Sequence, residues 1–218
     1  MARLAGLGSR GVVRPGYLLT ALLVLVAAGF LYYRMFVYYP ITNDHIRTTR
    51  IIAFGDSLTS GYGAPSDHSY PAQLSRLCHC EVVNEGVAGE TTAGGLKRIE
   101  GAVVDNNPEL VIIGLGGNDL LNSVPVDQTF TNLKTMISKV HAKGALVVLL
   151  GVTGLPLGDQ YGPNYKTLAR ETGCVLVPNI LSGIITNPKL KSDQIHPNGA
   201  GYAKIAARVY DAIKKYIG

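Results

Sequence analysis

From residue 50 onward, short apolar runs alternate with stretches whose apolar positions recur at helical spacing. Ile51-Ile52-Ala53-Phe54 ends in Gly55, Leu110–Leu115 is almost wholly apolar, and so is Ala145–Leu150. Continuous apolar runs of this length, bounded by glycine, predict strands buried on both faces at 50–55, 110–115 and 145–150. Shorter strands are predicted at 81–84 and 175–178. Helices are predicted over 69–77, 91–104, 126–143, 162–172 and 198–217; Ser69 suits an N-cap and Pro71 the first turn that follows it. Strands and helices in alternation, with strands apolar throughout, predict a three-layer α/β/α sandwich around a central parallel sheet.

The N-terminal pattern differs. Tyr17 to Tyr33 is apolar or small, with Thr20 its one strongly polar side chain, and Arg34 then interrupts before Met35–Tyr39. A run of this length suits a hydrocarbon core of roughly 30 Å, with Tyr17, Tyr32, Tyr33, Tyr38 and Tyr39 as interfacial anchors. A cleaved signal would need a small-x-small site after the run, and Tyr33-Arg34-Met35 supplies none. The expected organisation is an anchor over 1–39 with a transmembrane helix at about 17–37, a tether over 40–49 and one domain over 50–218. Arg3, Arg10 and Arg14 face Arg34, Arg47 and Arg50 across the run; the small bias favours an extracytoplasmic, periplasmic-side domain.

Charge sharpens this division. The 218 residues carry a net charge of +5, which by itself suggests an anionic partner. Six of the 20 basic residues and one of the 15 acids lie within 1–50, leaving 14 of each in the remainder. The globular part is neutral, so no nucleic-acid partner is expected. Cys78-His79-Cys80 lacks a second ligand pair at metal-site spacing, so neither a metal nor a cofactor is expected. Cysteines two apart bridge only with strain. Cys174 reads as a small core residue, with a disulfide from it left open.

Four polar segments fall at strand ends or in loops. Ser57 follows the first strand within Gly55-Asp56-Ser57-Leu58, where open α/β sheets carry their chemistry. Asn84–Thr91 follows the second, and its glycines let backbone N–H groups face a bound oxygen. Gly116-Gly117-Asn118-Asp119 follows the third and offers the Asn118 amide at the same end. Asp193-Gln194-Ile195-His196 stands before the last helix, and its spacing puts an acid and an imidazole on one side of a turn. Asp119 reads as a residue that fixes its loop.

In this order, the four segments resemble those of the SGNH (GDSL-type) hydrolase superfamily, and most of all its bacterial lysophospholipase, acyl-thioesterase and arylesterase branch. The resemblance covers 50–217 and leaves the N-terminal segment unmatched. It implies the flavodoxin-like fold of that superfamily and a serine esterase without a cofactor. Ser57 would be the nucleophile, His196 the base and Asp193 the residue that orients it. The N–H groups of Ser57 and Gly89 and the Asn118 amide would form the oxyanion hole.

The implied substrates are acyl esters, thioesters or lysophospholipids. A carbohydrate or peptidoglycan O-acetyl esterase would use the same residues. The Thr153–Pro163 loop departs from the family pattern, so Leu155, Leu157 and Tyr161 are candidate substrate contacts that would distinguish the two. A non-catalytic binding module would have no need of Ser57, Asp193 and His196 together.

Overall fold

The computed structural model describes residues 15–32, 38–153 and 161–218, and the chain divides into two compact units, Met1–Tyr39 and Pro40–Gly218. In the first unit the described residues include a helix, α1, from Pro15 to Tyr32. Among the described residues no helix is long and apolar enough to cross a membrane. This overturns the expected transmembrane helix, the membrane anchoring drawn from it and the periplasmic-side placement. Residues 33–37 of the expected span lie outside the described residues.

The second unit is built on five parallel strands: β1 (Arg50–Gly55), β2 (Glu81–Gly86), β3 (Leu110–Gly114), β4 (Leu146–Leu150) and β5 (Val175–Val177). Their spatial order is β2-β1-β3-β4-β5. The chain therefore moves from β1 to one side and returns to add β3 on the other, and the point between β1 and β3 is where such sheets open a crevice. Apart from Arg50, β1, β3 and β4 are buried throughout, as their unbroken apolar sequences require.

Among the described residues, seven α-helices complete this unit: α2 (Ser57–Ser60), α3 (Tyr70–Cys78), α4 (Thr92–Ala102), α5 (Gly117–Leu121), α6 (Val126–His141), α7 (Tyr161–Thr172) and α8 (Gly199–Ile213). On one face, Ile51 and Ala53 of β1 join Tyr70 and Leu74 of α3 and Tyr202, Ile205 and Val209 of α8 in one apolar cluster. On the other, Phe54 approaches Gly95 of α4 beside Met136 of α6, where an added Cβ would lie 3.2 Å from the Phe54 ring. The sandwich has the three layers its sequence pattern implied.

Caps set the helix starts. Ser69 accepts from the Ala72 N–H and Asn198 from the N–H groups of Ala200 and Gly201, the pairing expected of N-cap residues. The short helices α2 and α5 have no periodic sequence signal. Each starts where a glycine-containing strand end turns sharply.

Two readings change in detail. Residues 40–49 are bonded to the globular unit: the Thr42 N–H donates to the Gly173 carbonyl, the Asn43 amide to those of His141 and Ala145, and the Thr48 N–H to that of Tyr216. Cys78 and Cys80 form a disulfide, against the expectation from their spacing. Cys78 ends α3, and His79 takes a left-handed φ of 51° as the chain reverses, leaving the two Cα atoms 5.2 Å apart, within ordinary disulfide range. Cys174 is buried with its Sγ 3.2 Å from Thr172 Oγ1, and burial pushes its thiol up to about 12.

Candidate active site

Ser57 opens α2 immediately after β1. Asp56 caps that helix, its Oδ1 accepting from the Leu58 N–H at 2.9 Å. The turn needs glycine before it: a Cβ on Gly55 would stand 2.4 Å from the Gly114 carbonyl and 2.2 Å from Thr59 Oγ1. Strand end and helix start thus leave the Ser57 hydroxyl at the mouth of the β1/β3 crevice.

The Asp193–His196 loop comes from the far end of the chain and is tied at its base. The Ser192 N–H donates to the His196 carbonyl, and the Asn198 N–H to that of Leu190. Asp193 Oδ1 accepts from the N–H groups of Ile195 and His196 at 2.9 and 2.8 Å, leaving Oδ2 for the ring. His196 Nδ1 lies 2.7 Å from that Oδ2, and Nε2 lies 3.0 Å from Ser57 Oγ. Because a carboxylate only accepts, Nδ1 carries the proton and Nε2 presents its lone pair to the Ser57 hydroxyl. Burial alone would raise the Asp193 carboxyl, but hydrogen bonds from the His196 and Ile195 N–H groups and the His196 ring outweigh it and hold Asp193 at about 2.

Two tyrosines hold this pair together. The Tyr62 ring lies against the His196 imidazole with centroids 4.6 Å apart. Tyr202, buried in α8, donates its hydroxyl to the Tyr62 carbonyl at 2.8 Å and reaches that of Ser57 at 3.4 Å. Neither residue stands out in the sequence, since tyrosines at these positions look like ordinary core and turn residues.

Asn118, at the start of α5, borders the same cleft as Ser57 and His196. Its Nδ2 donates to the Glu90 carbonyl at 2.9 Å and faces Asp56 Oδ2 at 3.4 Å. Asp119 fixes its loop as expected, accepting from the Thr92 N–H at 2.8 Å and the Thr92 hydroxyl at 2.5 Å. Gly89 has φ +78° in the loop after β2, next to Glu90, whose carbonyl accepts the Asn118 amide.

The cleft is shallow, with a free volume of about 30 Å³. Leu58, Leu121, Val152, Leu181 and Ile195 give it an aliphatic wall beside Ser57. Leu155 and Leu157 lie outside the described residues. Tyr161 is buried away from the cleft, its ring edge-on to Phe130 and its hydroxyl 3.3 Å from Thr129 Oγ1. Among the described residues no cluster of histidine, cysteine and carboxylate side chains is suited to a metal ion.

Asp56 is a buried carboxyl beside these groups. Burial raises it to about 7, the Leu58 N–H opposes, and the charges of Glu90 and Asp119 push it further up. A carboxyl raised in the fold contributes stability that is complete below its unfolded value and is lost as pH rises through the folded one. The parent should therefore lose roughly 2–3 kcal/mol between pH 5 and 7 from this group, at about 1.4 kcal/mol per pH unit. Asp56→Asn should flatten that decline in thermal melts across the same range. Equal slopes in both proteins would contradict the assignment.

Against known proteins, the GDSL-like Lipase/Acylhydrolase family matches residues 53–204. The chain is 33% identical over 178 residues to Esterase TesA of Pseudomonas aeruginosa, covering 75% of this chain and 87% of that protein. It is 29% identical to Thioesterase 1/protease 1/lysophospholipase L1 of Escherichia coli K12 over 156 residues, covering 68% of this chain and 75% of that protein. Among solved structures, a crystal structure of TesA superposes with TM-score 0.72 at 30% identity, covering 77% of this chain and 99% of that one.

Proposed function

The chain belongs to the GDSL-like lipase/acylhydrolase family and is a carboxylic ester hydrolase, and on that premise we propose that Ser57, His196 and Asp193 are its catalytic triad. The observation that supports this most is the unbroken contact chain from Asp193 Oδ2 through the imidazole to Ser57 Oγ, at 2.7 and 3.0 Å.

Ser57 Oγ attacks the acyl carbon while its proton passes to His196 Nε2. The carbonyl π pair moves onto oxygen. Asp193 keeps the imidazole in the required tautomer and stabilises the imidazolium, without itself taking the proton. The Ser57 and Gly89 N–H groups and Asn118 Nδ2 receive the oxyanion. As the tetrahedral intermediate collapses, the bond to the leaving alkoxide or thiolate breaks and His196 returns the proton to it. Water, deprotonated by the same nitrogen, then cleaves the acyl-enzyme and restores the Ser57 hydroxyl.

The aliphatic wall of Leu58, Leu121, Val152, Leu181 and Ile195 supports an acyl chain longer than acetyl. The name lysophospholipase, carried by the Escherichia coli relative, is compatible with such a chain. Each methylene that leaves water is worth about 0.8 kcal/mol, so kcat/KM should rise about threefold or more per carbon until the cleft is full. A p-nitrophenyl ester ladder from acetate to decanoate checks this. A maximum at acetate would instead favour the O-acetyl esterase reading.

A further inference from the structure

The three proposed oxyanion donors come from three separate loops, after β1, β2 and β3, and one guanidinium outside the reacting set links the residues that carry them. Arg98 lies on α4. Its Nε donates to the two Glu90 carboxylate oxygens at 2.7 and 2.9 Å, and its Nη2 to one of them at 2.6 Å. The same Nη2 reaches the Glu85 carbonyl at 2.6 Å, at the end of β2, and the Gly55 carbonyl at 3.4 Å, two residues before the nucleophile. The guanidinium carbon sits 4.1 Å from the centre of the Phe54 ring. Glu90 in turn accepts the Asn118 amide on its backbone carbonyl at 2.9 Å. Its carboxylate is 7% exposed, so this is an interior clamp rather than a surface ion pair.

The loop needs such a clamp. Gly89 is left-handed, and a Cβ built on it meets nothing within 4 Å, so no side-chain packing at that residue orients its N–H. Its orientation must come from its neighbours, and Glu90 is the neighbour held on both sides.

We propose that Arg98, acting through Glu90, is a positioning residue that fixes the Gly89 N–H and the Asn118 amide relative to Ser57 for transition-state binding. The proposal rests on the oxyanion assignment above and extends it. A planar fork that meets several acceptors at once is what arginine supplies and lysine, a point charge, does not. A displacement of about 1 Å in such a donor costs on the order of 100-fold in rate.

The test compares Arg98→Lys and Glu90→Gln with the parent, each counted by fluorophosphonate active-site titration. Each variant should show kcat per titrated site about 10- to 100-fold lower on p-nitrophenyl butyrate, with KM within about threefold. Binding of a short alkylboronic acid, whose serine adduct places an oxygen in the hole, should weaken by a similar factor. The double variant should be no worse than the poorer single one, because both break one unit. If kcat per titrated site stays within about twofold of the parent and only the melting temperature falls, the clamp braces the fold and positions nothing. Should Arg98→Lys fail to fold, Glu90→Gln, which keeps an acceptor for Arg98, decides alone. Ser57→Ala is run alongside: full turnover there would overturn the oxyanion reading and this proposal with it, whereas unchanged Arg98 and Glu90 variants beside an inactive Ser57→Ala overturn this proposal alone.

Discussion

Ser57→Ala is expected to lower kcat on a p-nitrophenyl ester by about 10⁶-fold, the scale at which nucleophile removal acts in triad enzymes. The substitution deletes one oxygen. Oγ has His196 Nε2 as its hydrogen-bond partner, and alanine suits the first turn of α2, so the melting temperature should stay within a few degrees of the parent. Residual hydrolysis would come from the oxyanion donors and substrate binding acting on water, about 10³-fold above the uncatalysed rate. A loss of only tenfold would mean that another group attacks the ester.

Asp193→Asn should cost about 10⁴-fold in kcat with the loop intact. Asparagine keeps one oxygen for the Ile195 and His196 N–H groups, so the turn is retained. It presents an NH₂ group to His196 Nδ1 where the carboxylate oxygen stood at 2.7 Å. Nδ1 must then accept, the proton moves to Nε2, and Ser57 faces an N–H instead of a lone pair. Geometry survives and chemistry stops. The parent's carboxyl sits at about 2, so Asp193 remains ionised throughout the working range, and any acid limb of kcat/KM above pH 4 belongs to another group. The stability it contributes is present above the unfolded carboxyl value near 3.8 and is lost as pH falls through about 2. Steady-state kinetics from pH 5 to 9, with a melt of each variant, checks the prediction.

Most of the globular fold was legible because its strands are buried on both faces. Runs such as Leu110–Leu115 and Ala145–Leu150 have no polar position to blur them, and caps at Ser69 and Asn198 carry their own signal. The residues of the proposed triad stood out as candidates because each occupies a short motif at a strand end or before a capped helix. What escaped depends on three-dimensional closure. Arg98 falls within an ordinary helical stretch, and nothing in that stretch says that its guanidinium reaches back to Glu90, Glu85 and Gly55. Tyr161 looked available in a glycine- and proline-rich loop, yet it opens α7 and its ring is used in packing on Phe130. The Cys78–Cys80 bond depends on His79 taking a left-handed turn that its residue type does not announce. The N-terminal apolar run read as a membrane span from its composition, and that reading was overturned because no described helix is long and apolar enough to cross a membrane.

Peptide mapping by mass spectrometry after reaction with a fluorophosphonate locates the nucleophile. A single phosphonyl adduct is expected on Ser57, formed in the folded parent and absent from Ser57→Ala and from heat-unfolded protein. An adduct on a different residue, or no adduct in folded protein that hydrolyses esters, would contradict Ser57 as the nucleophile.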